Sequence, residues 1–187
     1  MTSSTYLDSK LLLAMPGMTD PRFDRSVIYM CSHDESGAMG LVINQPFDNL
    51  TFEGLLEQLD IETPEPVPPV MIHTGGPVEP GRGFVLHSAD YVQESTLVVS
   101  ETLALTATVD ILTALAEGRG PIHHLLALGY AGWGAGQLEA EIQANAWLTA
   151  EADDEIIFNT DLEQKWPRTM AKLGVNVSML SSDAGHA

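Results

Sequence analysis

Short apolar runs, each closed by a proline, a glycine or a cluster of small polar residues, follow one another along most of this chain. Runs rich in β-branched and aromatic residues suit strands, and several connections between them are too short for the crossover that joins parallel neighbours. LLLAM (11–15) stops at Pro16-Gly17, SVIYMCS (26–32) gives way to the polar turn HDESGAM (33–39), and GLVIN (40–44) stops at Pro46. Near-continuous hydrophobicity in these three predicts strands covered on both faces. VMIH (70–73), GFVLH (83–87), TLVVS (96–100), HHLLALGYAGW (123–133), AWLTA (146–150) and EIIFN (155–159) read as further strands.

Four segments carry helical spacing instead. In 49–61, Phe52, Leu55, Leu56 and Leu59 share one face, with Asn49 or Thr51 as N-cap. The segment 106–118 has Thr106 as its expected cap and Gly118 where a C′ glycine belongs. A short helix is expected over 136–144. A last one starts at Asp161 and carries Leu162, Trp166, Met170 and Leu173 in a stripe, with Pro167 expected to kink or restart it. The proline-rich stretch 62–69 predicts a stiff loop inside the domain. Together these elements predict an α/β (α+β) protein: a single domain over residues 1–180 around a mixed, strongly curved sheet with about four helices, and a loose tail at 181–187.

Charge restricts the partners. Among 187 residues, 26 are acidic and 8 basic, a net charge of −18. Such a field repels nucleic acid and anionic membrane, and the few basic residues are scattered apart from Lys165, Arg168 and Lys172. Cys31 is the sole cysteine, which excludes an intramolecular disulfide and fits a reducing compartment. The N-terminal segment lacks a basic n-region, and no run approaches a membrane span, so a cytoplasmic location is expected.

GYAGWGAGQLEAE (129–141) raises the question of a phosphate loop. A P-loop needs Lys and Ser or Thr after its last glycine, whereas Gln137 and Leu138 stand there. Gly132, Gly134 and Gly136 space as G-x-G-x-G, which misses the dinucleotide fingerprint. The glycines therefore read as a backbone device beside Trp133 rather than an anion cradle. His33, His73 and His87 each close a predicted strand, but no metal-binding spacing links them, and adjacent His123 and His124 point to opposite faces of a strand. Cys31 two residues before His33 admits a nucleophile, yet inside an apolar strand it reads as core. Gly75-Gly76-Pro77 could donate amides to an oxyanion or form an ordinary sharp turn. No metal, cofactor or catalytic constellation is assigned.

The segments MPGMTDPRFDRSVIYMCSHDESGAMGLVINQP, HTGGPV followed by GFVLH, and GYAGWGAGQLEAEIQANAWL resemble, in order and spacing, the bacterial YqgE/AlgH family, over about Leu11 to Gly174. That resemblance implies an α/β fold with a curved, partly barrel-like sheet. It also brings a transcriptional-regulator label without assigned catalytic residues. Strand ends and glycine turns gather at one rim of a sheet. The expected ligand- or partner-binding surface is accordingly His33, Asn44, His73, Gly75, Gly76, His87 and Trp133. The expected function is regulation exerted indirectly, through an unidentified protein partner or small ligand. Two alternatives stand beside it: a hydrolase-like enzyme using the strand-end histidines and the Gly-Gly-Pro turn, and a direct DNA binder, which the charge opposes.

Overall fold

The computed structural model describes residues 6–18, 20–62 and 66–174, so the expected tail, residues 175–180 and part of the proline-rich loop lie outside the described residues. One nine-stranded sheet organises the chain. Its strands are β1 (Lys10–Ala14), β2 (Val27–Asp34), β3 (Gly37–Val42), β4 (Ile72–Thr74), β5 (Val78–Ser88), β6 (Leu97–Val98), β7 (Leu103–Thr106), β8 (His124–Gly134) and β9 (Trp147–Glu151). Four α-helices pack on it: α1 (Phe52–Gln58), α2 (Val109–Ala116), α3 (Gln137–Gln143) and α4 (Leu162–Lys172). The strands run in the order β6-β7-β5-β8-β3-β2-β1-β9, with antiparallel pairing throughout that path; β4 lies off it, parallel to β8. The sheet is mixed and curled into a half-barrel, within the expected α/β class.

Side-chain alternation shows the curl. Leu11 and Leu13 of β1, Tyr29 and Cys31 of β2, Phe84 and Leu86 of β5, and Leu125 and Ala127 of β8 join a single apolar cluster, closed by Ile157 and by Trp166 and Met170 of α4. The opposite face splits in two. Val85, Leu126 and Leu128 meet α1 and α2, whereas Leu12, Ile28, Met30 and Trp133 meet Leu138 of α3. One shared cluster inside and two separate ones outside is what a curled sheet produces.

β4 explains the glycines. Beyond Val42 the chain leaves β8, and β4 fills the gap: Thr74 N donates to Gln45 O at 2.8 Å, Gly75 N donates to Leu128 O at 2.8 Å, and Val42 N donates to Gly75 O at 2.8 Å. β5 then pairs with the other edge of β8, beginning at Val78 opposite Tyr130. Gly75, Gly76 and Pro77 therefore carry the chain across β8 from one edge to the other. A Cβ on Gly75 would stand 2.3 Å from Gly129 O, one on Gly76 2.1 Å from Tyr130 C, and one on Gly129 2.4 Å from Gly76 O. Two backbones touch there, and only glycine fits.

Three expectations need correction. EIIFN is a π-helical turn, Glu155–Asn159, not a strand. Asp153 Oδ1 accepts from Glu155 N at 2.9 Å and starts a turn that buries Ile156 and Ile157 together, which a strand would send to opposite faces. Leu103–Thr106 forms β7, so Thr106 ends a strand and Thr108 takes the N-cap of α2. Helix α4 runs through Pro167 without restarting, and Glu163, whose carbonyl the proline cannot serve, is exposed. Thr51 caps α1 by accepting from Gly54 N at 3.0 Å, and Gly118 takes φ +75° after α2, as expected.

Candidate functional site

The seven residues expected to form one surface fall into three places. His33 and Trp133 both flank Ala38, in β2 and β8, on the face covered by α3. Asn44, His73, Gly75 and Gly76 surround the β4 insertion. His87 lies apart, in β5 against β7.

Around α3 the polar atoms are committed to one another. Glu141 Oε1 accepts from the indoles of Trp133 at 3.1 Å and Trp147 at 2.9 Å, and Gln137 Nε2 donates to Glu141 Oε2 at 2.8 Å. The two indoles meet edge to face, 6.0 Å apart. Gly136 takes φ +74° at the start of α3, and Gly134 N donates to Gln137 Oε1 at 3.0 Å. The glycine segment is thus a strand end and a helix start, with the carboxylate of Glu141 as the anion of the neighbourhood. His33 Nδ1 accepts from Leu7 N at 2.9 Å, which leaves the ring proton on Nε2. That Nε2 lies 3.3 Å from Glu139 Oε1, within ion-pair reach but without hydrogen-bond geometry.

His87 is also spent. Its Nδ1 donates to Ser88 O at 2.9 Å and its Nε2 accepts from Thr106 Oγ1 at 2.7 Å, while burial pushes its pKa down. Ser88 Oγ donates to Asp90 rather than to a histidine, so Ser88, His87 and Asp90 form no relay. Cys31 is buried, and desolvation pushes its thiol up to about 12, which removes the thiolate a nucleophile needs. Asn44 clamps the preceding loop, accepting from Val27 N at 3.0 Å and donating to Arg25 O at 2.8 Å. At the Gly-Gly-Pro turn the Gly75 amide already serves Leu128, so it offers nothing to an oxyanion.

Several concavities remain, among them one of about 700 Å³ beside α1 and one of about 430 Å³ beside Asn44. A third, about 650 Å³, is an open trough on the inner face of the half-barrel, with Met39, Phe84, Leu105 and Tyr130 as floor and Asp34, Glu79 and Arg82 on its rim. Residues Glu79–Arg82 bulge out opposite Gly129, since Val78 pairs with Tyr130 but Gly83 with Leu128. Arg82 lies over the Phe84 ring at 5.1 Å and 3.7 Å from Glu79. Trp133 borders the trough at its β8 end. A smaller one, about 310 Å³, lies between β4, β8 and the start of α4, where His73, His124 and Lys165 meet. His73 Nδ1 donates to Leu126 O at 2.9 Å, and burial pulls its pKa to about 4, the Leu126 bond opposing and the Lys165 charge assisting. Lys165, 2% exposed, donates to Ile43 O at 2.8 Å and Ile157 O at 2.7 Å, and desolvation brings its pKa to about 8. In the sequence Lys165 stands out only through its neighbours Arg168 and Lys172; its spacing with Trp166 and Met170 was the available sign of burial. No helix among the described residues is long and apolar enough to cross a membrane.

Comparison with known proteins agrees with this architecture. An AlgH-like family model (DUF179) matches residues 11–178. A UPF0301 protein of Bradyrhizobium diazoefficiens is 51% identical, covering 100% of this chain and 91% of the relative. One from Cereibacter sphaeroides is 54% identical over 97% of this chain and 99% of the relative. The solution structure of the AlgH protein from Pseudomonas aeruginosa superposes with a TM-score of 0.79 at 48% identity, covering 100% of this chain and 99% of that one. A Corynebacterium diphtheriae protein, 21% identical with a TM-score of 0.70 over 97% of this chain and 95% of its own, shares the fold. Family model, full-length relatives and superposition agree, and the chain belongs to the AlgH-like family.

Proposed function

We propose that the protein is a cytoplasmic binding protein that regulates indirectly, by seating a segment of a protein partner in the inner trough. The observation that carries this reading is the trough itself: an apolar floor of Met39, Phe84, Leu105 and Tyr130, left open on a sheet whose other faces are covered. Leu97 of the edge strand β6 extends that floor and is 46% exposed. The fitting occupant is an apolar stretch flanked by lysine or arginine, since the molecule carries −18 and its rim holds Asp34 and Glu79. The same charge opposes direct DNA recognition. His33, His73 and His87, each bonded to backbone, and Cys31, sealed in the core, give hydrolase-like chemistry no support.

The test is fluorescence anisotropy with two labelled peptides that share an apolar centre, one flanked by basic and one by acidic residues. Binding of the basic-flanked peptide alone is expected. Leu97→Glu and Met39→Glu should each weaken it about tenfold or more without altering thermal unfolding. Equal binding by both variants and the parent, or no binding at all, would sink the proposal.

A further inference from the structure

The 310 Å³ cavity has an electrostatic gap that no group among the described residues fills. Of the chain's three lysines, Lys10 lies 2.6 Å from Glu151 and Lys172 lies 2.7 Å from Asp153. Lys165 has no carboxylate partner among the described residues, although the chain holds 26 acidic residues. A protonated amine carries three hydrogens, and two backbone carbonyls use two of them. The third is left over, on a charge buried without a counter-ion, an arrangement that an incoming anion would relieve.

The surroundings select the anion. Thr160, Asp161 and Leu162 line the cavity, so the start of α4 opens onto it; the Gln164 amide is taken by Asp161 O at 2.9 Å, and the Leu162 amide is the one at the cavity wall. Arg168 Nη1 donates to Thr160 Oγ1 at 3.4 Å and brings a second positive group to the rim. Opposed to them is Asp161, exposed at the same rim, which disfavours a ligand of high charge. His73, its Nδ1 hydrogen committed to Leu126, presents Nε2 as an acceptor with no donor among the described residues. His124 completes the wall, its Nδ1 sealed from solvent without a hydrogen bond of ordinary geometry, although the Pro121 carbonyl acts on the ring. Val70, Leu125 and Phe158 supply apolar contact.

We propose that this cavity binds a small hydroxy carboxylate. Its carboxylate meets the Lys165 ammonium and the Leu162 amide at the start of α4, its hydroxyl donates to His73 Nε2, and its short carbon chain lies against Val70, Leu125 and Phe158. This site is separate from the trough and does not depend on it.

Binding requires Lys165 in its charged form. Burial pushes the free amine down to about 8, so affinity is level below that pH and falls about tenfold per unit above it. His73 and His124 titrate lower because they are buried, and Asp161 is a carboxylate; Lys165 is thus the lining group whose charge changes in that window. The experiment is calorimetric titration of the full chain with glycolate and, as comparator, acetate, from pH 6.5 to 9.5. Glycolate should bind about fivefold or more tightly than acetate, reflecting the hydroxyl bond. Lys165→Met should abolish binding of both, with circular dichroism checking the fold, while Leu97→Glu in the trough should change neither. If Lys165→Met fails to fold, the pH series on the unaltered protein decides. No saturable binding at about 50 mM, affinity level to pH 9.5, or undiminished binding by Lys165→Met would overturn the site. Equal affinity for the two acids would overturn the role of His73.

Discussion

Gly76 occupies φ +153° with the Tyr130 carbonyl carbon 2.1 Å from the place a Cβ would take, so both its conformation and its space exclude a side chain. Gly76→Ala should cost about 3 kcal/mol or more, read as a lower urea midpoint at unchanged slope. A midpoint equal to the parent's would mean the crossing can relax. Glu141, on α3, offers a contrast. Removing it strands two indole N–H groups, so Glu141→Ala should destabilise by about 2 to 3 kcal/mol, while Glu141→Gln, which keeps an oxygen acceptor, should cost about 1 kcal/mol. At this scale the sequence was informative about what the glycine segment lacked: neither phosphate motif was complete. It could not show what the glycines touch, because Gly129 answers to Gly76, a residue distant in the chain.

The elements around the candidate sites are short, and their short length explains what remained hidden. β4 has three residues, yet its hydrogen bonds run to both neighbours, so the amides of Thr74 and Gly75 should exchange with deuterium as slowly as the centre of β8. Fast exchange there would make β4 a loop. His73 in β4 also couples stability to pH. Its folded pKa of about 4 lies below the usual 6.5, so the native ring stays neutral while the unfolded ring takes a proton. The stabilisation is fully present above pH 6.5 and is lost as pH falls through 4, by about 3 kcal/mol at most. His73→Asn, which keeps a donor for Leu126, should flatten that part of the profile in denaturant titrations. Helices α1 and α2 were legible from spacing, with Thr51 and Gly118 at their expected ends, because local rules decide these; the N-cap of α2 was misplaced at Thr106. The π-helical turn at Glu155–Asn159 and strand β7 were not, since tertiary packing overrode propensity in both. The site residues were read as one rim because strand ends and glycine turns gather there; the curl sends them to separate places.

For the molecule as a whole, a net charge of −18 over 187 residues is self-repelling, and that repulsion weakens in salt. Raising sodium chloride from about 10 to 200 mM should therefore raise the melting temperature by a few degrees. A fall on adding salt would mean that ion pairs outweigh repulsion. The same field is the setting for both proposals, since a basic-flanked peptide is drawn to it and a small anion must reach Lys165 against it. The crossing of Gly75–Pro77 over β8 has one more effect, on how the chain is made. β4 and β5 leave the ribosome as two prongs of a fork, and the strand that belongs between them begins only at His124, well after β5 ends at Ser88. Until that late piece is threaded home the fork stands open, with two bare sheet edges facing the crowded cell.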